Sequence, residues 1–329
     1  MDCGLPLLAE RWTVSEYQYY EFRAVDRPLE ERALRTLRAL SSRAEITPTS
    51  FVNTYKWGDF KGDPDALMEN CFDAFVYVAN WGTRRFVLRL PGRLLTRQLL
   101  APYCGGESLR AHKAGEFAVI HFCRQDDGGE EEEEGEVWMA SLIQLRADLL
   151  RGDHRCLYVG WLCCAQNEEL DDDEIEPPVP PGLKAVSRSL EAFVEFMGID
   201  SELLDIAASA SAQPKTPPSR DELTAWIQAL PEQDKDALLV DAALNAASET
   251  GVEILRRFDL SQKNSPPAEA QPKRRTVGEL LAAARKLSEK KARLASERQA
   301  AARARKEREA AKARARYLDQ LARKGQATW

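Results

Sequence analysis

Segments rich in aromatic and β-branched residues alternate with segments of helical spacing over the first two thirds of the chain. Period-two alternation and runs of Val, Phe and Tyr are typical of strands. Five segments show these patterns, namely residues 17–25, 46–57, 72–79, 84–90 and 117–122. Apolar positions spaced as in an amphipathic helix occur in four further segments, residues 28–40, 65–71, 93–100 and 142–150.

The connections between these segments indicate how they are arranged. Only four residues, 80–83, separate two of the strands, which is the length of a hairpin loop. A further apolar segment covers residues 157–164, and a helix predicted after the proline-rich residues 177–181 ends at Met197 with Gly198 as its cap. Because hairpins outnumber β-α-β units, the pattern predicts an α+β fold with a mostly antiparallel sheet and covering helices.

Changes in composition divide the chain into five parts. The α+β domain is predicted to cover residues 1–208, and the small, polar, proline-bearing residues 209–218 form a linker. A small helical module is predicted for residues 219–260. Because it is near the lower size limit for a stable core, we expect it to dock on the main domain. A second linker covers residues 261–272, and residues 273–329 form a long helix rich in Ala and Arg.

The long helix is the most clearly marked element of the sequence. Thr276 and Glu279 have the spacing of a capping box, which marks a helix start. From there to Lys324 the chain has no proline and one glycine, Gly278, and it consists mainly of strong helix formers. A helix over this segment would extend about 70 Å.

Charge is distributed very unevenly along the 329 residues. The net charge is −7, but residues 273–329 carry 18 basic and 6 acidic residues, and the rest of the chain carries 28 basic and 47 acidic ones. Two acidic segments, residues 126–136 and 168–176, hold eight and seven acids. This separation of an acidic body from a basic C-terminal helix indicates what kind of partner the protein binds, and it says nothing about the fold.

One stripe of the long helix changes from leucine to arginine along its length. Leu280, Leu287 and Leu294 fall on one line, which predicts that the first turns pack on protein. The same line continues through cations, with Arg308 on its flank, and predicts a binding surface for an acidic partner. These cations are Arg298, Arg305, Arg308, Lys312, Arg316 and Arg323.

Three interpretations of this basic surface remain open. It can bind the phosphates of nucleic acid, it can pack on a protein partner as a coiled coil, or it can be solvated or neutralised by the protein's own acidic segments. The sequence therefore predicts a non-enzymatic binding or scaffold protein that uses its C-terminal helix to engage an acidic partner, either nucleic acid or protein.

An enzyme of unrecognised type is the alternative hypothesis. Two Trp-Gly turns, in residues 57–64 and 80–85, flank the strand 72–79 and could together hold a ligand. The residues of this alternative pocket are Asp59, Lys61, Asp63 and Arg84. The two turns are expected to leave the strand at opposite ends, unless the intervening helix folds back.

Other features of the sequence favour a cytoplasmic protein without a catalytic or metal site. The patterns Gly-x-Ser-x-Gly, Gly-x-Gly-x-x-Gly and the phosphate-binding P-loop do not occur, and no cofactor is expected. His121-x-Cys123 and His154-x-Cys156 repeat a spacing, but zinc sites favour Cys-x2–4-Cys, so no metal is expected. The longest apolar run has ten residues, which excludes a membrane span, and the seven cysteines are expected to be reduced thiols.

Several segments resemble those of a family of bacterial cytoplasmic proteins that has no assigned activity. They are YEFRAVDRP (residues 20–28), ITPTSF (46–51), YKWGDFKGDP (55–64), ANWGTRR (79–85) and EPPVPPG (176–182). The resemblance covers most of the N-terminal domain. It implies a bacterial, cytoplasmic protein, and it implies no catalytic residues.

Overall fold

The structure is a computed structural model that describes residues 17–125, 135–214, 218–244, 247–262 and 274–326. Within helices, the side chains of residues 244, 247–249, 260, 262 and 315–326 are outside this description. The predicted acidic segment 126–136 and the second predicted linker therefore fall largely outside the described residues.

In the described part of the chain, seven strands form one antiparallel sheet. They are β1 (Gln18–Arg23), β2 (Glu45–Thr47), β3 (Ser50–Tyr55), β4 (Ala74–Ala79), β5 (Arg84–Pro91), β6 (Leu109–Ala114) and β7 (Phe117–Arg124). Their order across the sheet is β2-β3-β1-β4-β5-β7-β6, and each neighbouring pair is antiparallel. Together with the helices below, this confirms the predicted α+β fold.

Twelve α-helices are described. They are α1 (Glu31–Leu40), α2 (Pro64–Asn70), α3 (Arg97–Leu100), α4 (Trp138–Leu142), α5 (Gln144–Leu150), α6 (Arg155–Gln166), α7 (Arg188–Met197), α8 (Ser201–Ser209), α9 (Arg220–Ala229), α10 (Glu232–Leu244), α11 (Ala247–Gln262) and α12 (Val277–Gln326). Within the described residues, no helix combines the length and the apolar character that a membrane crossing needs.

Both faces of the sheet are covered, which explains why β4 is buried at every position. Face A, which contains Val76, Phe86 and Phe122, packs on residues of α4 to α8 and the start of α12. Face B, which contains Phe22 and Phe75, packs on α1, α2 and the loops beside them. The rings of Phe22 and Phe75 stack with their centroids 4.2 Å apart.

Two strands differ from the sequence prediction. The predicted strand 46–57 is a hairpin, β2 and β3, with a turn at Pro48 and Thr49. The edge strand β6 was not predicted, because its sequence LRAHKA contains few β-formers and three charged or imidazole side chains. Such side chains are suited to an edge strand, where they discourage pairing with another chain.

The helical module of α9, α10 and α11 begins at the predicted capping box of Ser219 and Glu222. Its interior contains Leu238 and Phe258, and the ring of Trp226 lies edge-on to Phe258 with centroids 5.7 Å apart. Val252 is 8% exposed and belongs to the same hydrophobic cluster as face A. The module therefore contacts the main domain through α11.

Candidate functional site

The start of α12 is capped by its own side chains and by the preceding acidic segment. The hydroxyl of Thr276 accepts a hydrogen bond from the Glu279 amide at 3.2 Å, and the Glu279 carboxylate accepts one from the Thr276 amide at 3.0 Å. This confirms the predicted capping box. The amides of Val277 and Gly278 donate to the carbonyls of Glu174 and Asp172, both at 2.9 Å. The chain before α12 is thus paired with residues 172–176.

A buried ion pair fastens this junction. Arg275 donates two hydrogen bonds to the carboxylate of Glu176, at 2.7 and 2.8 Å, and a third to the carbonyl of Ile206 at 2.9 Å. The hydroxyl of Tyr158 also donates to Glu176, which is 2% exposed. Burial and the neighbouring carboxylate raise the pKa of Tyr158, so its hydroxyl keeps its proton and remains a donor.

The first turns of α12 pack on the body of the protein, and the packing ends earlier than the leucine stripe predicts. Leu280 is fully buried and Leu287 is half-buried, but Leu294 is 40% exposed. Leu294 therefore does not dock on the body. The reason is that the supporting helix α8 has only nine residues. Lys291 makes the furthest described ion pair between α12 and the body, to Glu202 and Asp205 of α8 at 3.1 and 2.8 Å.

Around this contact and beyond it, α12 is exposed to solvent. Every residue from 288 to 314 is exposed, over a length of about 40 Å. This part of α12, which we call the distal segment, contains ten basic and four acidic residues. Two ion pairs are described within it, from Arg305 to Glu309 at 3.0 Å and from Arg293 to Glu297 at 3.8 Å. Exposed pairs of this kind contribute little and leave the cations accessible.

The structure places the predicted cations on this projecting helix. Arg298, Arg305, Arg308 and Lys312 lie in the distal segment and are exposed. Arg316 and Arg323 lie further along the same helix, where side chains are outside the described structure. Among the residues that the structure describes, the ion pair of these cations joins Arg305 to Glu309 of the same helix. Exposed cations of this kind can bind phosphates or carboxylates of a partner at little desolvation cost.

The four residues of the predicted alternative pocket are not brought together. Asp63 caps α2, since its carboxylate accepts hydrogen bonds from the amides of Asp65 and Ala66. Lys61 is exposed on the same side of the sheet. Arg84 lies on face A and is 6% exposed. The sheet separates Arg84 from the turn before α2, so the structure gives no support to a joint pocket.

The guanidinium of Arg84 is part of the core. It donates to the carbonyls of Glu195 and Phe196 at the end of α7, both at 3.3 Å. Its carbon Cζ also lies 5.6 Å from the ring centroid of Trp138, as in a cation–π contact. Arg84 therefore joins β5 to α7 and α4.

The two Trp-Gly turns nevertheless lie at one end of the sheet, which is the exception that the sequence prediction left open for an intervening helix that folds back. Gln18, the first residue of β1, pairs with Tyr55 at the end of β3 and with Ala79 at the end of β4. Trp57 and Trp81 each follow two residues later. The reason is that α2 crosses face B between the two strands, so that β3 and β4 run in the same direction.

A buried polar network supports the first of these turns. The side-chain amide of Gln18 donates to the Asp59 carboxylate at 3.1 Å, and its oxygen accepts from the hydroxyls of Tyr20 and Tyr77 at 2.7 and 3.0 Å. Burial raises the pKa of Tyr20 to about 12, so both phenol groups stay protonated and donate near neutral pH. The predicted residue Asp59 is thus a structural acceptor at the surface.

A cavity of about 810 Å³ lies at the opposite end of the sheet. Its floor contains Asp73, which is 2% exposed and accepts hydrogen bonds from the amides of Val25 and Asp26 at 2.6 and 3.0 Å. Arg89 donates to Asp73 at 2.9 Å, and Arg146 binds the carboxylate of Asp26 through both terminal nitrogens. These charges neutralise one another, so the cavity floor is a structural network.

The histidines and cysteines of the described chain do not form a metal centre. No group of three or more His, Cys, Asp or Glu residues is placed to hold a metal ion in the part of the chain that the structure describes. His112 and His121 stack across β6 and β7 with centroids 5.2 Å apart. Burial raises the pKa of the Cys104 and Cys163 thiols to about 11, which makes them poor nucleophiles.

Comparison with known proteins adds no relative to this description: no protein family, no curated protein and no solved structure matches the chain. The resemblance to a bacterial cytoplasmic family therefore remains a prediction from the sequence. The candidate site of the described chain is the distal segment of α12.

Proposed function

We propose that the protein is a non-enzymatic binding or scaffold component that engages an acidic partner, nucleic acid or protein, through the distal segment of α12. The observation that carries the proposal is the exposure of every residue from 288 to 314, in a segment with ten basic and four acidic residues. A helix exposed on all sides gains no stability from packing, so packing within the protein does not determine its sequence, and its side chains are available to bind a partner.

The anchoring of α12 supports the same proposal. Arg275 and Leu280 hold the start of the helix, and Lys291 holds it at α8. The first part of the helix is therefore a rigid base, and the basic part is presented away from the acidic body. A rigid, pre-organised surface loses less conformational entropy on binding than a disordered basic tail.

The test is a titration of labelled polyanions with the full-length protein, followed by fluorescence anisotropy. The probes are single-stranded and duplex DNA, single-stranded RNA and poly-glutamate, each over a range of salt concentrations. We expect binding at low ionic strength, with an affinity that falls as salt is added, because bound phosphates release counterions.

A charge-removal variant and a matched control test where binding occurs. The variant carries Arg298→Gln, Arg305→Gln and Lys312→Gln, which retain helix propensity. The control carries Arg35→Gln, Arg43→Gln and Lys184→Gln, three exposed cations away from α12. We expect the first variant to lose affinity and to show a smaller salt slope, while the control behaves as wild type. Absence of binding to all probes, or equal behaviour of the two variants, contradicts the proposal.

A further inference from the structure

Two tryptophans are unusually exposed. Trp57 is 67% exposed and Trp81 is 46% exposed, whereas Trp138 and Trp161 are 6% and 0% exposed. Tryptophan has a large apolar surface, so leaving it exposed to water forgoes a large hydrophobic stabilisation. Exposed aromatic groups on a protein surface often mark an interaction site. The exposure of two such rings at one end of the sheet requires an explanation.

The sheet register places the two tryptophans close to each other. Each follows by two residues a residue that pairs with Gln18. The strands β3 and β4 are separated only by β1, so the ends of these strands lie about 10 Å apart. Each tryptophan is followed by a glycine of positive φ, Gly58 at 75° and Gly82 at 87°. The two turns thus present their rings by the same local device.

Both turns are held by hydrogen bonds to the sheet. Gln18 binds the first turn through Asp59, and the amide of Gly82 donates to the carbonyl of Ala79 at 3.0 Å in the second. The amide of Tyr17 donates to the side chain of Asn80 at 3.0 Å. The exposed rings are therefore mounted on well-supported backbone.

The distal segment leaves the body near the same end of the sheet. Lys291 binds Glu202 in the first turn of α8. Shortly before α8, Gly198 lies directly against the side chain of Arg124, the last residue of β7. Arg124 pairs with Arg84, the first residue of β5, which begins just after the Trp81 turn. Exposed cations also lie beside Trp57, at Lys56 and Lys61.

We propose that Trp57 and Trp81 form a stacking platform for the bases of a single-stranded nucleic acid whose phosphates bind the distal segment of α12. This inference rests on the proposed function and names the class of partner. Bases of a single strand have open faces that stack on aromatic side chains, while in a duplex the bases stack on one another. An acidic protein would use the cations but not the rings, and a neutral sugar would use the rings but not the cations.

The experiment measures binding of a fluorescein-labelled oligothymidylate, a duplex of the same length and labelled poly-glutamate. The variants are Trp57→Ala, Trp81→Ala and the double variant, with Leu239→Ala as control for loss of an exposed apolar side chain, since Leu239 is 69% exposed on α10. Circular dichroism melting checks that each variant is folded, and exposed positions tolerate truncation well.

We expect each tryptophan variant to weaken oligothymidylate binding about 5- to 100-fold, as for the loss of one stacked base. Trp57→Phe and Trp81→Phe should retain part of the affinity, because phenylalanine also stacks. Duplex and poly-glutamate binding should be unchanged, and the Leu239 control should bind as wild type.

The outcomes separate this proposal from the proposed function. If the tryptophan variants bind oligothymidylate like the wild type, the platform is refuted, while loss of binding on charge removal in α12 would still support the proposed function. If poly-glutamate binds more tightly than oligothymidylate, the partner is an acidic protein and the platform is also refuted. If no polyanion binds, both proposals fail.

Discussion

Arg275 and Glu176, 99 residues apart in the sequence, form a two-pronged ion pair with nitrogen–oxygen distances of 2.7 and 2.8 Å. The pair joins the segment that leads into α12, two residues before Val277, to the acidic segment after α6. Glu176 is almost fully buried, so the Arg275 guanidinium and the Tyr158 hydroxyl supply the hydrogen bonds that water would otherwise give to its carboxylate. The basic helix is thus fixed to the body at its base by charge as well as by apolar packing.

Replacing Arg275 with alanine should destabilise the protein. The substitution leaves the buried Glu176 carboxylate without its cation, which typically costs about 3 kcal/mol or more in the free energy of unfolding. Urea denaturation measures this change. Arg274→Ala is the matched control, because Arg274 is exposed and should change stability by less than about 0.5 kcal/mol. Equal effects of the two variants would show that the ion pair does not hold the helix.

A pair of leucine variants should locate the end of the docked part of α12. Leu280→Ala removes a fully buried side chain, and we expect the free energy of unfolding to fall by about 2–5 kcal/mol. Leu294→Ala removes a side chain that is 40% exposed, and we expect a change within about 0.5 kcal/mol. Denaturant unfolding of both variants gives the comparison. A large effect at Leu294 would place the end of docking further along the helix.

The free energy of unfolding should decrease as the pH is lowered, over a pH range set by His121. Burial lowers the pKa of His121 to about 4, which outweighs the opposite effect of Asp65, whose carboxylate is 3.9 Å away. Arg85, His112 and Arg110 lower it further. The unfolded state takes up this proton near pH 6.5, while the folded state does so only near pH 4. The free energy of unfolding should therefore decrease by about 3 kcal/mol as pH falls through this range, and level off below it.

Substitution of His121 tests the assignment. The slope of the unfolding free energy against pH reports how many protons are taken up on unfolding. Between pH 6.5 and 4 this number should be smaller by about one in His121→Gln than in the wild type, as measured by urea titrations at several pH values. His154→Gln, at the start of α6, is the control and should keep the contribution of His121. An unchanged pH dependence in His121→Gln would mean that another group titrates in this range.

Arg84 and Lys61, two residues of the sequence-based alternative pocket, should respond differently to substitution. Arg84→Met removes two hydrogen bonds to α7 and a cation–π contact, so we expect a loss of about 2–4 kcal/mol in unfolding free energy. Lys61→Met changes an exposed side chain and should be nearly neutral. Thermal or denaturant unfolding distinguishes them. A destabilising Lys61 variant would mean that this residue has a partner in solution.

Local sequence signals were sufficient for the long helix but not for its contacts. Thr276 and Glu279 mark the start of α12, and uninterrupted helix formers carry it to Gln326, because capping and propensity are local properties. The extent of docking depends instead on the length of α8, which the sequence pattern of α12 does not contain. Leu294 therefore shares the spacing of Leu280 without its burial.

The position of the Trp-Gly turns depends on strand order, which periodicity does not specify. The pattern predicts β4 and its neighbouring turns, but it does not reveal that β1 lies between β3 and β4. Only this order, together with the path of α2 across face B, brings Trp57 and Trp81 to one end of the sheet. A signal was present in the repeated Trp-Gly dipeptide, since a large aromatic residue beside a turn glycine is suited to exposure.

The late position of α12 in the chain has a consequence for biosynthesis. Every other described element precedes α12 and leaves the ribosome earlier. Until residue 275 emerges, Glu176 lacks its ion-pair partner Arg275. Until Leu280 emerges, the apolar surface of α8 on which the start of α12 packs remains exposed to water. A nascent chain can therefore assemble its sheet during translation, but it completes its core only when synthesis has passed the base of the last helix.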